Sequence, residues 1–238
     1  MSATRHGLAA CGLAAAAIIL RPRLRNWGST VDDRARVLPG DWLIPGEHGV
    51  CTMAIDIDAA PAEVWPWLAQ MGADRGGWYS FDHLDRGGRP SWRTLDPRWT
   101  QVGEGDRMVT VPGRSWFDVA HVEPGRSLVL RASLDLRGRP FDPRAGRPGG
   151  FVDSRWEFFV DPRPGGTTRL IVRSGSVSGP RPWTDIMDLV FWHPAHVLMQ
   201  LRQLRQIKRR AEQRRAARPA RSPAVAPGAA ARAAAQRA

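Results

Sequence analysis

A chain of 238 residues, 42% of them hydrophobic, is long enough to bury a full core, most simply as one domain with tails. Its formal charge of +12 lies at the ends: residues 1–26 carry +4, residues 27–200 carry −2 and residues 201–238 carry +10. That split argues against a dedicated nucleic-acid-binding face on the body and leaves the basic termini as the parts drawn to anionic membranes. The two cysteines, Cys11 and Cys51, have no metal-ligand spacing and no disulfide is expected between them, which fits a reducing, cytoplasmic compartment.

Gly7 to Leu20 (GLAACGLAAAAIIL) is an apolar run bracketed by Arg5 and by Arg21, Arg23 and Arg25. As a helix it would measure about 21 Å, short of the ~30 Å hydrocarbon core. Two readings stand: a non-spanning apolar extension, or a marginal membrane anchor whose Arg cluster holds the domain on the cytoplasmic side. Residues 26–49, punctuated by Pro39, Gly40, Pro45 and Gly46, form a polar lead-in expected to wrap the domain surface. Residues 50–58 follow as a strand, with Ala54 to Asp58 alternating apolar and polar. Pro61 suits the first turn of a helix over 61–71, where Val64, Trp67, Leu68 and Met71 share one face. Pro66 is expected to kink that helix or to mark where it becomes regular, and Gly72 is expected at its C′ position. A loop and a second small helix, Trp78 to Leu84, come next.

Residues 85–101 read as loop, and 106–111 with 115–123 as a hairpin around Pro112-Gly113. Ser127 to Asp135 places Leu128, Leu130, Ala132 and Leu134 on one face and Val129 and Arg131 on the other. Phe151 to Val160 and Thr167 to Ser176 complete an antiparallel meander, after a Pro- and Gly-rich loop over 136–150 that is expected to be mobile. A helical region begins at Asp185, is kinked or restarted at Pro194, and carries Val197, Leu201, Leu204 and Ile207 on one face, with Gln203, Arg205 and Arg209 mostly outside it. Residues 216–238, almost only Ala, Pro and Arg, are expected to be disordered. The chain thus divides into 1–25, 26–49, a body over 50–215 and a tail over 216–238. Strand, two short helices, antiparallel strands and a long helix make an α+β class with helices on one face of a curved sheet.

The stretch AP-x-E-V-W-P-W-L-x-Q-M-G followed by RGGWYSFD resembles the SRPBCC superfamily, which includes START-type lipid-binding domains, polyketide cyclases and the birch-pollen-allergen fold. Similar features recur at Asn26–Asp41, Val102–Met108, Thr167–Ser174 and His196–Glu212, so the resemblance runs over most of the chain. It implies a helix-grip fold, in which the long C-terminal helix lies across the sheet and a ligand-binding cavity forms between them. One such fold hosts many functions.

Eleven Trp against one Tyr make the aromatic set conspicuous. Trp65, Trp67, Trp78, Tyr79, Phe81, Trp156 and Trp192 fall in elements expected to face the interior, either as packing or as the lining of a cavity for an apolar, ring-containing molecule. Trp78, Tyr79 and Phe81 are the leading lining candidates because Gly76-Gly77 lets their loop move. Asp82 beside His83 reads as a cap or loop anchor in preference to an acid–base pair. His193 and His196 are three apart, but no third ligand lies near them and Pro194 disturbs the geometry, so no metal and no cofactor are expected. His196 and Met199 are instead expected to face the sheet and the cavity. The candidate ligand-binding set is therefore Trp67, Trp78, Tyr79, Phe81, Asp82, Trp156, His196 and Met199. Arg131, Glu157 and Arg173 are suspects only if they point inward, and the alternation turns Arg131 outward.

Two functions follow. One is binding of an apolar lipid or polyketide-like molecule between sheet and helix. The other is a polyketide cyclase or dehydratase-like enzyme in the same cavity, favoured if two or three polar groups converge deep inside it. No nucleophile with a credible base is evident in the motifs, and the reading leans to the binder.

Overall fold

The computed structural model describes residues 22–217. In chain order the elements are α1 (Val31–Ala35), β1 (His48–Ile57), α2 (Pro61–Ala69), α3 (Asp82–Asp85), β2 (Arg107–Val111), β3 (Ser115–Glu123), β4 (Ser127–Asp135), β5 (Phe151–Arg163), β6 (Thr167–Gly179), α4 (Trp183–Met187), a π turn (Asp188–Trp192) and α5 (His193–Ala217). The six strands form one antiparallel sheet in the order β1-β6-β5-β4-β3-β2, so the two ends of the meander bring the first strand beside the last. The short helices and the long α5 complete a helix-grip architecture.

Period-two alternation sorts each strand between two faces. Met53 and Ile57 of β1, Leu128 and Leu130 of β4, Phe158 and Val160 of β5 and Leu170 and Val172 of β6 join one core with Val64, Trp67 and Leu68 of α2, Met71 just beyond it, and Val197, Leu204 and Ile207 of α5. The opposite face is also covered. Leu38 packs with Ala54, Phe159 and Ile171 in a second, smaller cluster, and Cys51 to Ala54 are buried consecutively, as expected when both faces of a strand are enclosed. The lead-in is therefore a packed layer. Its α1 is held by a capping box between Thr30 and Asp33, and the Asp33 carboxylate also accepts from Arg169 of β6 at 2.6 Å.

Between lead-in and sheet lies a buried ionic network. Arg155, 1% exposed, donates to Glu47 through Nε (2.7 Å) and Nη2 (2.6 Å), to Asp41 (2.8 Å) and to Glu157 (3.1 Å). Arg173 donates to Asp41 at 2.7 Å and to the carbonyls of Asp33, Arg34 and Arg36. Glu157 and Arg173 thus face away from α5 and are still buried, under a layer that alternation alone does not reveal. Arg131 shares that outward face, as expected, and grips the buried Asp153 with two hydrogen bonds. Gly40 permits the close approach: a Cβ there would sit 2.7 Å from Glu157 Oε2 and 2.8 Å from Val129 Cγ1.

Other expectations are corrected locally. Helix α2 begins at Pro61 and accommodates Pro66 in its interior, so Pro66 does not mark its start. It ends at Ala69 with Gln70 as the cap, which places Gly72 two residues beyond the cap. There Gly72 (φ 136°) exchanges backbone hydrogen bonds with Gly77. Gln203 is buried because its amide donates to the Trp78 carbonyl and accepts from Gln200, while Arg205 and Arg209 lie outside. Trp192 is 57% exposed, since the π turn adds a residue to the helical repeat and turns the indole off the core face. No helix among the described residues is long and apolar enough to cross a membrane. Gly7–Leu20 and residues beyond Ala217 lie outside the described residues.

Two measurements check this packing. Trp67→Ala is expected to cost ~3–5 kcal/mol in denaturant unfolding, because it removes a buried indole from the α2 face. The second concerns pH. Two guanidiniums, Arg155 and Arg173, face three carboxylates, Asp41, Glu47 and Glu157. Burial first, and then Asp41, push fully buried Glu157 up to about 7. Its stabilising contribution is full below the ordinary 4.5 and is lost as pH rises through about 7. Asp33 and Asp153 are held below the ordinary 3.8 by Arg169 and Arg131 against the cost of burial, so their contribution is present above 3.8 and lost at lower pH. The melting temperature is expected to peak between these limits, and Glu157→Gln to remove the fall on the alkaline side; an identical fall in the variant would contradict the assignment.

Candidate functional site

The site is built where α5 crosses the sheet. Trp78, delivered by the loop after α2, stacks on Trp156 of β5 with ring centroids 5.4 Å apart and planes 20° from parallel. Phe117 of β3 meets both rings, and Phe158 tilts against Trp156 at 4.9 Å. The Trp78 indole N–H donates to the Val109 carbonyl (3.0 Å), and that of Trp156 donates to Gln200 Oε1 (2.8 Å). Gln200 in turn donates to Gln203, and Gln203 to the Trp78 carbonyl, so a chain of amides ties α5 to the loop. Trp78 is buried, while Trp156, Phe117, His196 and Met199 are half-buried, and the cluster therefore reaches the surface beside the first turns of α5.

His196 meets the Trp156 edge at 5.9 Å, and its Nε2 lies 3.0 Å from Ser174 Oγ. Burial, with Arg25 nearby, holds its imidazole down to about 4, so it is neutral at physiological pH. Ser174 is paired across the sheet with Cys51, whose thiol burial pushes up to about 11 and which donates to the Arg25 carbonyl. Polar groups do converge at the aromatic cluster, and they are neutral and bonded to one another.

The other candidate residues part company here. Trp67 is core: its edge meets Tyr79 at 6.1 Å, and its indole N–H has no hydrogen-bond partner among the described residues. Tyr79 turns away from Trp78 because it adopts φ 59°, a left-handed conformation that costs a non-glycine residue of order 1–3 kcal/mol. Contacts hold it there: Gln70 Nε2 donates to its hydroxyl at 2.9 Å, Arg210 lies 4.8 Å above its ring, and burial pushes its phenol up. Phe81, 37% exposed, lies outside the cluster under Arg202, contrary to the inward placement expected of it. Asp82 is the loop anchor, accepting from Ser91 N–H (2.9 Å) and O–H (2.6 Å), while His83 is exposed. Tyr79, Ser80 and Asp82 line a separate cleft of about 210 Å³ on the outer side of α5. Met199 follows His196 by one turn. His193 lies beside Gly49 instead of joining His196, and the described residues contain no group of three or more His, Cys, Asp or Glu able to hold a metal.

Gly76-Gly77 is a spatial requirement where a hinge was expected. A Cβ at Gly76 would lie 2.8 Å from Tyr79 Oη and 2.9 Å from Gln70 Nε2, and one at Gly77 2.5 Å from Ser91 Oγ. Sequence reasoning missed Phe117, Ser174, Gln200 and Gln203. The two glutamines did leave a signal: they fall at i and i+3 within the register of Val197 and Leu204.

No family model and no curated protein matches the chain. Among solved structures it is similar to a hypothetical protein from Helicobacter pylori (10% identity, 74% of this chain and 95% of that one, TM-score 0.45). It is also similar to a conserved protein from Geobacillus kaustophilus (12%, 67% and 93%, TM-score 0.38) and to truncated norcoclaurine synthase from Thalictrum flavum (13%, 65% and 90%, TM-score 0.35).

Gly76→Ala is expected to destabilise the protein by ~1–3 kcal/mol, the usual cost of forcing atoms into a packed site. Chemical denaturation checks this; a change within about 0.5 kcal/mol, typical of an inert surface position, would show that the loop has room to move.

Proposed function

We propose that the chain is an SRPBCC-type protein that binds a small molecule with an apolar, ring-containing body against the aromatic cluster beneath α5. The Trp78–Trp156 stack carries the reading: two indoles lie nearly parallel, Trp78 buried and Trp156 half-buried. A flat apolar ligand gains about 25 cal/mol per Å² buried there, before ordering costs. Gln200, Gln203 and the Ser174–His196 pair supply neutral hydrogen-bonding groups that orient a polar substituent without placing a charge in the core. The sequence resemblance to START-type and pollen-allergen domains agrees with this reading.

Acid–base catalysis is the second reading, and the Ser174–His196 hydrogen bond is the observation that speaks for it. An imidazole held near 4 is a weak base at neutral pH, and a thiol near 11 is almost wholly protonated. Both weigh toward binding.

Trp78→Ala is expected to weaken binding of a naphthalene-sulfonate dye or a long-chain fatty acid by at least ~1 kcal/mol, with a smaller loss of fold stability than Trp67→Ala. Because His196 stays neutral, wild-type affinity is expected to be flat from about pH 5.5 to about pH 8. Folded wild type that binds no such probe, together with Trp78→Ala unfolding as readily as Trp67→Ala, would end this reading. Mass spectrometry of small molecules that co-purify with the protein identifies the natural ligand.

A further inference from the structure

The cleft on the outer side of α5 has a chemistry of its own. It lies between residues 79–93 and α5 and is lined by four arginines, Arg93, Arg202, Arg209 and Arg210. Its single carboxylate, Asp82, already accepts two hydrogen bonds from Ser91. Formal charge in the lining is therefore +3. Arg210 is half-buried, and its hydrogen bonds go to neutral oxygens: the Trp92 carbonyl (3.0 Å), and the carbonyl and side-chain amide of Gln206. Arg202 is oriented by the Ser80 carbonyl and by the Phe81 ring beneath it. Arg93 and Arg209 make no ion pair among the described residues. Burial, followed by the nearness of Arg93 and Arg209, holds Arg210 below the usual guanidinium range, whereas every buried arginine under the lead-in has a carboxylate partner.

Four like charges held together in a concavity with a single carboxylate among them raise the local potential and favour an anion. Each guanidinium presents a planar fork of donors, and Arg202 and Arg210 have theirs fixed at one end by carbonyls, leaving the remaining N–H groups for a ligand. A phosphoryl dianion offsets more of the +3 than a carboxylate does and offers several oxygens to converging forks.

We propose that this cleft binds the phosphoryl group of a phosphate ester. Two sources share that chemistry, a soluble phosphate ester and a phospholipid headgroup. The helical run leading into α5, with the first turns of α5 itself, gives the lipid source its weight: Trp183, Val190, Phe191, Trp192 and Leu198 are all more than half exposed, and Leu198, Arg202, Gln206, Arg209 and Gln213 follow one stripe of the helix.

The test uses the full chain and inorganic phosphate as probe, with calorimetric titration as the readout. Arg93→Gln and Arg209→Gln leave the fold's own hydrogen bonds in place, and each is expected to weaken phosphate binding by about tenfold, while Arg114→Gln, an exposed arginine on the β2–β3 turn, leaves it unchanged. Absence of phosphate binding by the wild type, full binding by both cleft variants, or an equal loss in Arg114→Gln would overturn the site. Sedimentation with phosphatidylcholine vesicles, with and without phosphatidic acid, separates the sources. Binding that requires phosphatidic acid, is competed by phosphate and is lost in Arg209→Gln supports the site with a lipid headgroup as its occupant. Phosphate binding without sedimentation supports it with a soluble ester. Trp78→Ala is expected to leave phosphate binding intact, so failure here is distinguishable from failure at the aromatic cluster.

Discussion

Arg155 is the constraint on which the rest of this structure depends. A guanidinium 1% exposed in the middle of a sheet is shielded from bulk solvent, and its donors need acceptors within the fold. The sheet supplies Glu157, and the remainder comes from Asp41 and Glu47, more than a hundred residues earlier in the chain. The lead-in must therefore lie across the sheet, and Arg173 and Arg169 fasten it at two further points. Removing one partner of such a pair typically costs 3–5 kcal/mol, because the survivor stays buried and unpaired.

Sealing one face decides where the aromatic cluster sits. With the lead-in on the far side, α5 and the loop after α2 are what cover the aromatic face, and the amide chain from Trp156 through Gln200 and Gln203 to Trp78 links all three elements. Tyr79 adds a second division. Its left-handed backbone sends Trp78 inward and Tyr79 toward the outer cleft, so two adjacent aromatics enter an apolar cluster and a basic cleft. The strain at Tyr79 is offset by its contacts with Gln70, Trp67 and Arg210, and the missing side chain at Gly76 leaves room for them.

The aromatic cluster and the cleft differ in electrostatic character for a physical reason. Around Trp156 the polar groups are amides, a hydroxyl and a neutral imidazole, which survive burial because each bonds to another. In the cleft the groups are guanidiniums that burial only partly reaches, so they keep their charge and have donors to spare.

The succession of strands and helices along the chain, the hairpin at Pro112-Gly113, the apolar face of α2 and the long C-terminal helix were legible in the sequence, because each rests on local periodicity and turn chemistry that short segments carry by themselves, whereas the pairing of β1 with β6 was not. So was the outward turn of Arg131, since alternation within one strand decides it. What the outward face would meet was not legible. Glu157 and Arg173 are buried by residues far away in the chain, and the lead-in has no periodic pattern that announces a packed layer. Trp78 and Trp156 were visible as candidates, but their stacking depends on strand register and on where the loop after α2 returns to the sheet. Phe81, Trp192 and Gln203 were misplaced for a common reason. One backbone φ at Tyr79, one extra residue in the π turn and one hydrogen bond to the Trp78 carbonyl each redirect a side chain, and such choices are made by tertiary contacts that composition and spacing do not encode.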